Sequence, residues 1–154
     1  MPRSWWRLAF FGLVIAASLP LLGHWIRGEK PARCAWDGLR LEPPYVVTVT
    51  DCMKTTHQFC CVQCARLWLD KSGIEFDRIT VTDEASGQEI DAAAAWYVRS
   101  TLATSEVTGN RIHVFRTEAD AREHVEAARG RLLSAGDAPF SAQQSALEAH
   151  DRHK

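Results

Sequence analysis

Thiols dominate the chemistry that this sequence offers. All five cysteines fall between residues 34 and 64, in the stretch CAWDGLRLEPPYVVTVTDCMKTTHQFCCVQC. Cys61 and Cys64 form a CxxC at the expected start of a helix, where residues three apart share a face. Unpaired backbone N–H groups at a helix start favour the thiolate, the form of cysteine that binds metal. Cys60 lies four residues before Cys64, so either Cys60 or Cys61 can share a site with it. Adjacent side chains of an extended segment point to opposite sides, which leaves open which of the two does. Cys34, just ahead of an Asp37-Gly38 turn, offers a ligand from a separate loop. Cys52 and Met53 stand together in a turn, a thiol beside a thioether, which suits Cu(I), although Met53 serves equally as packing. His57 is a lone imidazole on a short strand, a candidate ligand whose alternative is an ordinary surface histidine.

Such ligands are soft, and soft ligands select Cu(I) or Zn(II). Two or three sulfurs suffice for Cu(I), whereas a tetrahedral set of four favours zinc. Cys34, Cys60 or Cys61, Cys64 and Cys52 are enough for a tetrahedron, and mercury would bind the same thiols. A disulfide framework competes with this reading, but five cysteines would leave one over.

The elements that must position these thiols are legible as an α+β domain with a small mixed or antiparallel sheet and helices packed on one face. YVVTVT at 45–50 is β-branched and aromatic and reads as a strand, with Pro43 and Pro44 blocking a helix before it. Asp51 starts a turn, residues 57–59 form a short return strand, and CVQCARLWLDK at 61–71 carries apolar residues at helical spacing up to Ser72 and Gly73. A second unit follows. Residues 76–81 read as a strand and 85–88 as a turn, and Asp91 reads as the N-cap of a helix over AAAAWYVRS. RIHVF at 111–115 reads as a strand, and Thr117 with Asp120 opens a helix running to about residue 131. Trp68, Trp96 and Phe115 are core by spacing, and His113 and His124 rank below His57 as ligands.

The flanks read differently. Residues 8–26, LAFFGLVIAASLPLLGHWI, carry no fixed charge and as a helix would span roughly 28 Å, close to a bilayer's hydrocarbon thickness. Trp5, Trp6 and Trp25 sit at the two ends of the run, where indoles prefer the headgroup region. Residues 1–27 are therefore expected to be a retained single-pass membrane anchor, with a cleaved secretory signal as the alternative; Pro20 makes a poor cleavage neighbour. Counting Arg3 and Arg7 against Arg27, Lys30 and Arg33 does not fix the orientation. Residues 28–33 read as a linker, 34–133 as the cysteine-rich domain and 134–154 as a flexible tail poor in apolar residues.

The totals exclude several classes of function. A chain of 154 residues, 46% hydrophobic, builds one modest domain. A net charge of -1 and a pI near 6.6 lack the positive field that nucleic-acid binding needs. There is no Gly-rich phosphate loop, GxSxG or HExxH, so hydrolytic and transferase chemistry is not indicated. A thiol-disulfide oxidoreductase would use a helix-start CxxC, yet no proline lies between Pro44 and Pro139 to face it. A structural zinc hairpin in a membrane complex is the other rival reading.

The order of one cysteine shortly before a glycine, a hairpin, and then Phe59-Cys60-Cys61-Val62-Gln63-Cys64 resembles the TRASH or YHS-type metal-binding module. Downstream, VTDEASGQEIDAAAAWYV at 81–98 and TGNRIHVF at 108–115 are similar to the body of the NosL-like family, membrane-associated accessory proteins of nitrous oxide reductase. The resemblance covers about residues 34–131. It implies an extracytoplasmic α+β domain, facing the periplasm or cell exterior, that carries Cu(I) for delivery to an acceptor protein, a copper enzyme. Where that family places a CxxC followed by Gly and Met, this chain has Cys34-Ala35-Trp36-Asp37-Gly38-Leu39, without the second cysteine or the methionine. The downstream methionine is likewise replaced by the run Glu106-Val107-Thr108-Gly109.

Overall fold

The computed structural model describes residues 32–143 and Ser145. The expected anchor at 1–27, the linker up to residue 31 and, in the expected tail, residues 144 and 146–154 lie outside the described residues. Among the described residues, no helix is long and apolar enough to cross a membrane.

Alternation drives the first hairpin. In β1 (Val47–Asp51) Val47, Val49 and Asp51 are buried while the threonines between them, on the other face, are half-buried. β1 pairs antiparallel with β2 (Thr56–Phe59), Val47 opposite Phe59 and Thr50 opposite Thr56. Asp51 shapes the turn: its Oδ1 accepts from the Met53 and Thr55 amides at 2.9 and 2.8 Å. On its other edge β1 pairs with β3 (Phe76–Thr82), which pairs in turn with β4 (Glu89–Asp91), giving the antiparallel order β2-β1-β3-β4. Between β2 and β3 runs α1 (Val62–Ser72), which buries Val62, Cys64, Ala65 and Leu69 and stops at Gly73, whose φ of 61° is left-handed.

A second antiparallel sheet has the order β6-β5-β7, from β5 (Trp96–Arg99), β6 (Ile112–Phe115) and β7 (Arg131–Leu132). α2 (Glu118–Ala127) covers it, with Ala121 packed on Val98 and Phe115. The Thr117 hydroxyl accepts from the Asp120 amide at 3.2 Å and starts this helix as the sequence predicts. Asp83 and Glu84 join the sheets: Asp83 Oδ1 accepts from the Arg116 amide at 3.0 Å, and Glu84 Oε1 from the Val114 amide at 3.0 Å. One apolar core runs between them, from Val47, Val49 and Phe59 to Tyr97, Ile112 and Phe140.

Five expectations are corrected. The single sheet with helices on one face is two small antiparallel sheets, with α1 on the first and α2 on the second. The helix expected over AAAAWYVRS is a turn and then β5. Asp91 caps the turn through the Ala93 amide at 2.9 Å, the Tyr97 hydroxyl closes it on the Ala92 carbonyl at 2.9 Å, and pairing with both β6 and β7 outweighs the alanines' helix preference. In that strand Trp96 points outward, 36% exposed, so it is not core. α2 ends at Ala127 because the chain turns through Arg129 (φ 50°) into β7; at Gly130 a Cβ would lie 2.9 Å from Val98 Cγ1. Phe140, beyond the expected domain boundary at 133, is fully buried, its ring centroid 6.4 Å from that of Tyr97.

Candidate metal site

Three local structures meet at one end of the first hairpin. Residues 34–39 form a tight knuckle: the Gly38 amide donates to the Cys34 carbonyl at 2.9 Å and the Cys34 amide to the Leu39 carbonyl at 2.8 Å. Gly38 takes a left-handed φ of 74°, and Asp37 Oδ1 accepts from the Leu39 amide at 3.0 Å. The knuckle is pinned to β2 by the Ala35 amide on the Gln58 carbonyl, 2.8 Å, and to α1 by Lys71 Nζ, 5.1 Å from the centre of the Trp36 ring. Cys60 follows β2 directly. Cys61 is the extended N-cap residue of α1, and Cys64 stands in its first turn.

This arrangement brings one donor atom each from Cys34, Asp37, Cys60 and Cys64 within 4.8 Å of one another. The Cys64 thiol lies 3.1 Å from Asp37 Oδ2, the Cys60 thiol 3.6 Å from the same oxygen, and the two sulfurs are 3.6 Å apart. Sulfurs bonded to one tetrahedral ion at about 2.3 Å would sit roughly 3.8 Å apart, so the spacing suits a shared ion with little adjustment. All five cysteines are free thiols. The three sulfurs of the group are buried, whereas Asp37 is exposed, so its carboxylate is the donor that meets solvent.

Protonation follows from the geometry. Burial raises the Asp37 pKa, but the Leu39 amide and the thiols of Cys64, Cys34 and Cys60 outweigh it, so the carboxyl titrates below its ordinary value. The Cys64 pKa is raised by its hydrogen bond to Cys61, with burial and Asp37 adding to the effect. Burial and the nearby Cys61 charge raise that of Cys60. Cys61 moves the other way, to about 6, because the Cys64 thiol donates to it, with further help from the Cys64 amide and the Thr108 hydroxyl. The negative charge expected at the helix start thus rests on Cys61, while Cys60 and Cys64 hold their protons at neutral pH.

Of the residues predicted as ligands, Cys34, Cys60 and Cys64 join one group, Cys61 lies against it, and Cys52, Met53 and His57 are not part of it. Cys61 is buried beside the group, its sulfur 4.0 Å from that of Cys60 and 3.6 Å from Thr108 Oγ1. Cys52 and Met53 are exposed at the β1–β2 turn, Met53 by 87%. The four residues of β2 rise roughly 13 Å, which holds that turn at the far end of the hairpin from Cys60. His57 is engaged in the fold instead, with Nε2 3.2 Å from Asp51 Oδ2 and its ring centroid 4.6 Å from Trp68. His113 and His124 stack on each other at 4.2 Å elsewhere, His113 held by Glu84 at 2.8 Å.

Asp37 is the donor that sequence reasoning missed, having been read as a turn former. A signal existed: Asp37 follows Cys34 at the position where the resembled pattern has the second cysteine of its CxxC. A carboxylate there supplies an anionic oxygen in place of a sulfur.

No family model matches the sequence, and no curated protein matches it. Among solved structures, the fold is similar to the crystal structure of the copper chaperone NosL from Shewanella denitrificans, with a TM-score of 0.58 over 66% of this chain and 85% of that one, at 19% identity. At that identity the likeness establishes a shared α+β fold.

Proposed function

We propose that this chain is a metal carrier that takes up Cu(I) at Cys34, Cys60 and Cys64 and passes it to a protein acceptor outside the cytoplasm. The observation that carries the reading is the convergence of three buried, unoxidised sulfurs on one point that opens to solvent through an exposed carboxylate. Three thiolates satisfy Cu(I), whose soft character leaves the Asp37 oxygen a weak fourth donor. Zn(II) would hold all four donors as a tetrahedron and is the alternative cargo. The described fold resembling a copper chaperone supports copper.

The chain's own groups define how exchange would proceed. Loading displaces the protons that Cys60 and Cys64 hold in the metal-free protein. Asp37, already ionised, offers the first contact to an arriving cation and is the donor that an acceptor sulfur can replace without disturbing the core. The buried thiols then release stepwise. Residues 1–27 would tether the domain at the membrane within reach of its acceptor.

The test is anaerobic elemental analysis and a thiol count on the full chain in detergent, followed by incubation with a Met-rich or thiolate acceptor. One Cu(I) per chain that moves to the acceptor supports the carrier. Zinc that stays bound, and whose removal unfolds the domain, assigns it to structural zinc proteins. Protein recovered with its cysteines in stable disulfides would end both readings.

A further inference from the structure

Beside the cysteine group, α1 and the second sheet enclose a cleft of about 340 Å³. Gln63, Arg66, Leu67 and Asp70 line it from one stripe of α1, since residues three, four and seven apart share a helix face. Arg99 of β5 and Arg111, just before β6, line the opposite side. Three arginines therefore line one concavity, in a chain whose overall net charge is -1. Among the other described arginines, Arg122 is engaged with Glu118, Arg33 with the Gly38 carbonyl and Arg116 with the Glu89 carbonyl, whereas Arg40, Arg78, Arg129 and Arg131 have no side-chain partner, so what sets the three cleft arginines apart is the concavity they share. Among the described residues, Arg66, Arg99 and Arg111 have no ion pair and no side-chain hydrogen bond. The one carboxylate lining the cleft, Asp70, accepts from Gln143 Nε2 at 3.4 Å.

Unpaired planar guanidiniums on facing walls are suited to bidentate recognition of carboxylates. The cleft also reaches the chain neighbours of the candidate ligands. Gln63 stands between Cys61 and Cys64, and Gly109, on the opposite lip, follows the Thr108 whose hydroxyl lies 3.6 Å from Cys61 Sγ. An occupant of this cleft is thus held within one helical turn of the cysteine group. A concave site with Leu67 38% exposed on its wall fits a peptide chain with acidic and apolar side chains better than the flat surface of a bilayer.

We infer that this arginine-lined cleft docks an acidic segment of the protein that exchanges metal with the cysteine group. The role of that partner in metal exchange rests on the carrier reading above, whereas the preference of the cleft for an acidic chain does not. Docking there places the partner's own ligands at the exposed Asp37 side of the domain's site only if the segment and those ligands are close in the partner, so the contact selects the partner as well as speeding encounter.

The test uses the full chain in detergent, reduced, and a dye-labelled glutamate-rich peptide carrying a leucine, read by fluorescence anisotropy, with a lysine-rich peptide as control. The glutamate peptide is expected to bind and the lysine peptide not to. Exchanging Arg66, Arg99 or Arg111 singly for Gln should weaken binding about two- to threefold, and exchanging all three about tenfold or more, because each exposed pair contributes modestly. Metal per chain should stay unchanged in every variant, which also shows that the variants fold. Exchanging all three for Glu should invert the preference towards the lysine peptide. Equal binding by wild type and the triple Gln variant would overturn the proposal. So would binding of phosphatidylserine vesicles through the same arginines without binding of the peptide, which would assign the cleft to lipid headgroups. Peptide binding in a protein that takes up no metal would remove the carrier reading and leave the acidic-segment site standing.

Discussion

The two ends of the first hairpin carry similar side chains, yet only one end gathers them into a candidate site. At the turn end stand Cys52, Met53 and His57; at the other stand Cys60 and, one turn into α1, Cys64. The turn end is open: Met53 is almost wholly in solvent, and His57 is committed to Asp51 and Trp68. The other end is roofed by the knuckle at 34–39, which adds Cys34 and Asp37 and buries the sulfurs. Ligand type is therefore insufficient. A site forms where backbone hydrogen bonds hold a second loop against the first, which is the role of the Ala35 amide on the Gln58 carbonyl.

The largest effect should come from exchanging cysteines at the two ends. Cys64→Ser is expected to weaken Cu(I) binding by more than about 100-fold, while Cys52→Ser changes it by no more than about twofold, measured by competition with a Cu(I) chelator. Equal losses would erase the distinction between the ends.

Asp37 sharpens the comparison, because it is the hard donor in a soft set. Asp37→Ala should weaken Zn(II) by about 10- to 100-fold and Cu(I) by less than about threefold, and should slow transfer to an acceptor. Competition titrations with the two metals on one preparation decide it; parallel losses would give Asp37 no part in selectivity.

The next effect is on pH. Cys60 and Cys64 have raised pKa values and are protonated in the metal-free protein at neutral pH, so metal must displace their protons. Raising the pH lowers the cost of that displacement, and affinity should therefore climb through the neutral range by up to about tenfold per pH unit for each proton released. A flat profile between pH 6 and 8 would mean that the bound form keeps its thiol protons. The sign at Asp37 is opposite in kind: its depressed pKa keeps it ionised across this window, so it adds no slope there.

The smallest expected effect lies at the turn end. Exchanging Asp51 for Ala removes the acceptor of the Met53 and Thr55 amides and should lower Tm without changing metal per chain. Because the Asp51 pKa is lowered, first by the Thr55 amide, its contribution to stability is present above its unfolded value and fades as the pH falls through the folded one. The Tm difference between wild type and variant should therefore shrink in acid.

Much of this was legible in sequence because local signals and tertiary context agree. The β-branched run YVVTVT at 45–50, the cap at Thr117 and the stop at Gly73 each name an element that the structure contains, although the strand begins at Val47 and takes in Asp51. β5 was not legible: an alanine run after an aspartate reads as a capped helix, and only pairing on both edges makes it a strand. Two-residue β7 leaves too little pattern to see, and Phe140 is a single aromatic in a polar tail whose partner Tyr97 is distant in sequence. At the site, clustering and spacing marked Cys34, Cys60 and Cys64, but they also marked Cys52, because sequence separation does not report that a strand carries a residue away. Asp37 stayed hidden since aspartate before glycine is first a turn former. The sequence also left the choice between Cys60 and Cys61 open; in the structure Cys60 belongs to the four-donor group, while the Cys61 sulfur lies beside it, 3.6 Å from Thr108 Oγ1.

The most direct test of the central claim is X-ray absorption at the copper edge on Cu(I)-loaded Cys52→Ser protein, prepared anaerobically. The account requires three sulfur neighbours at Cu(I)–thiolate distance, falling to two when Cys34 is also exchanged for Ser. Two sulfurs in the Cys52→Ser protein, unaltered by the second exchange, would contradict it, because the ion would then be held without the knuckle that makes this end of the hairpin a site.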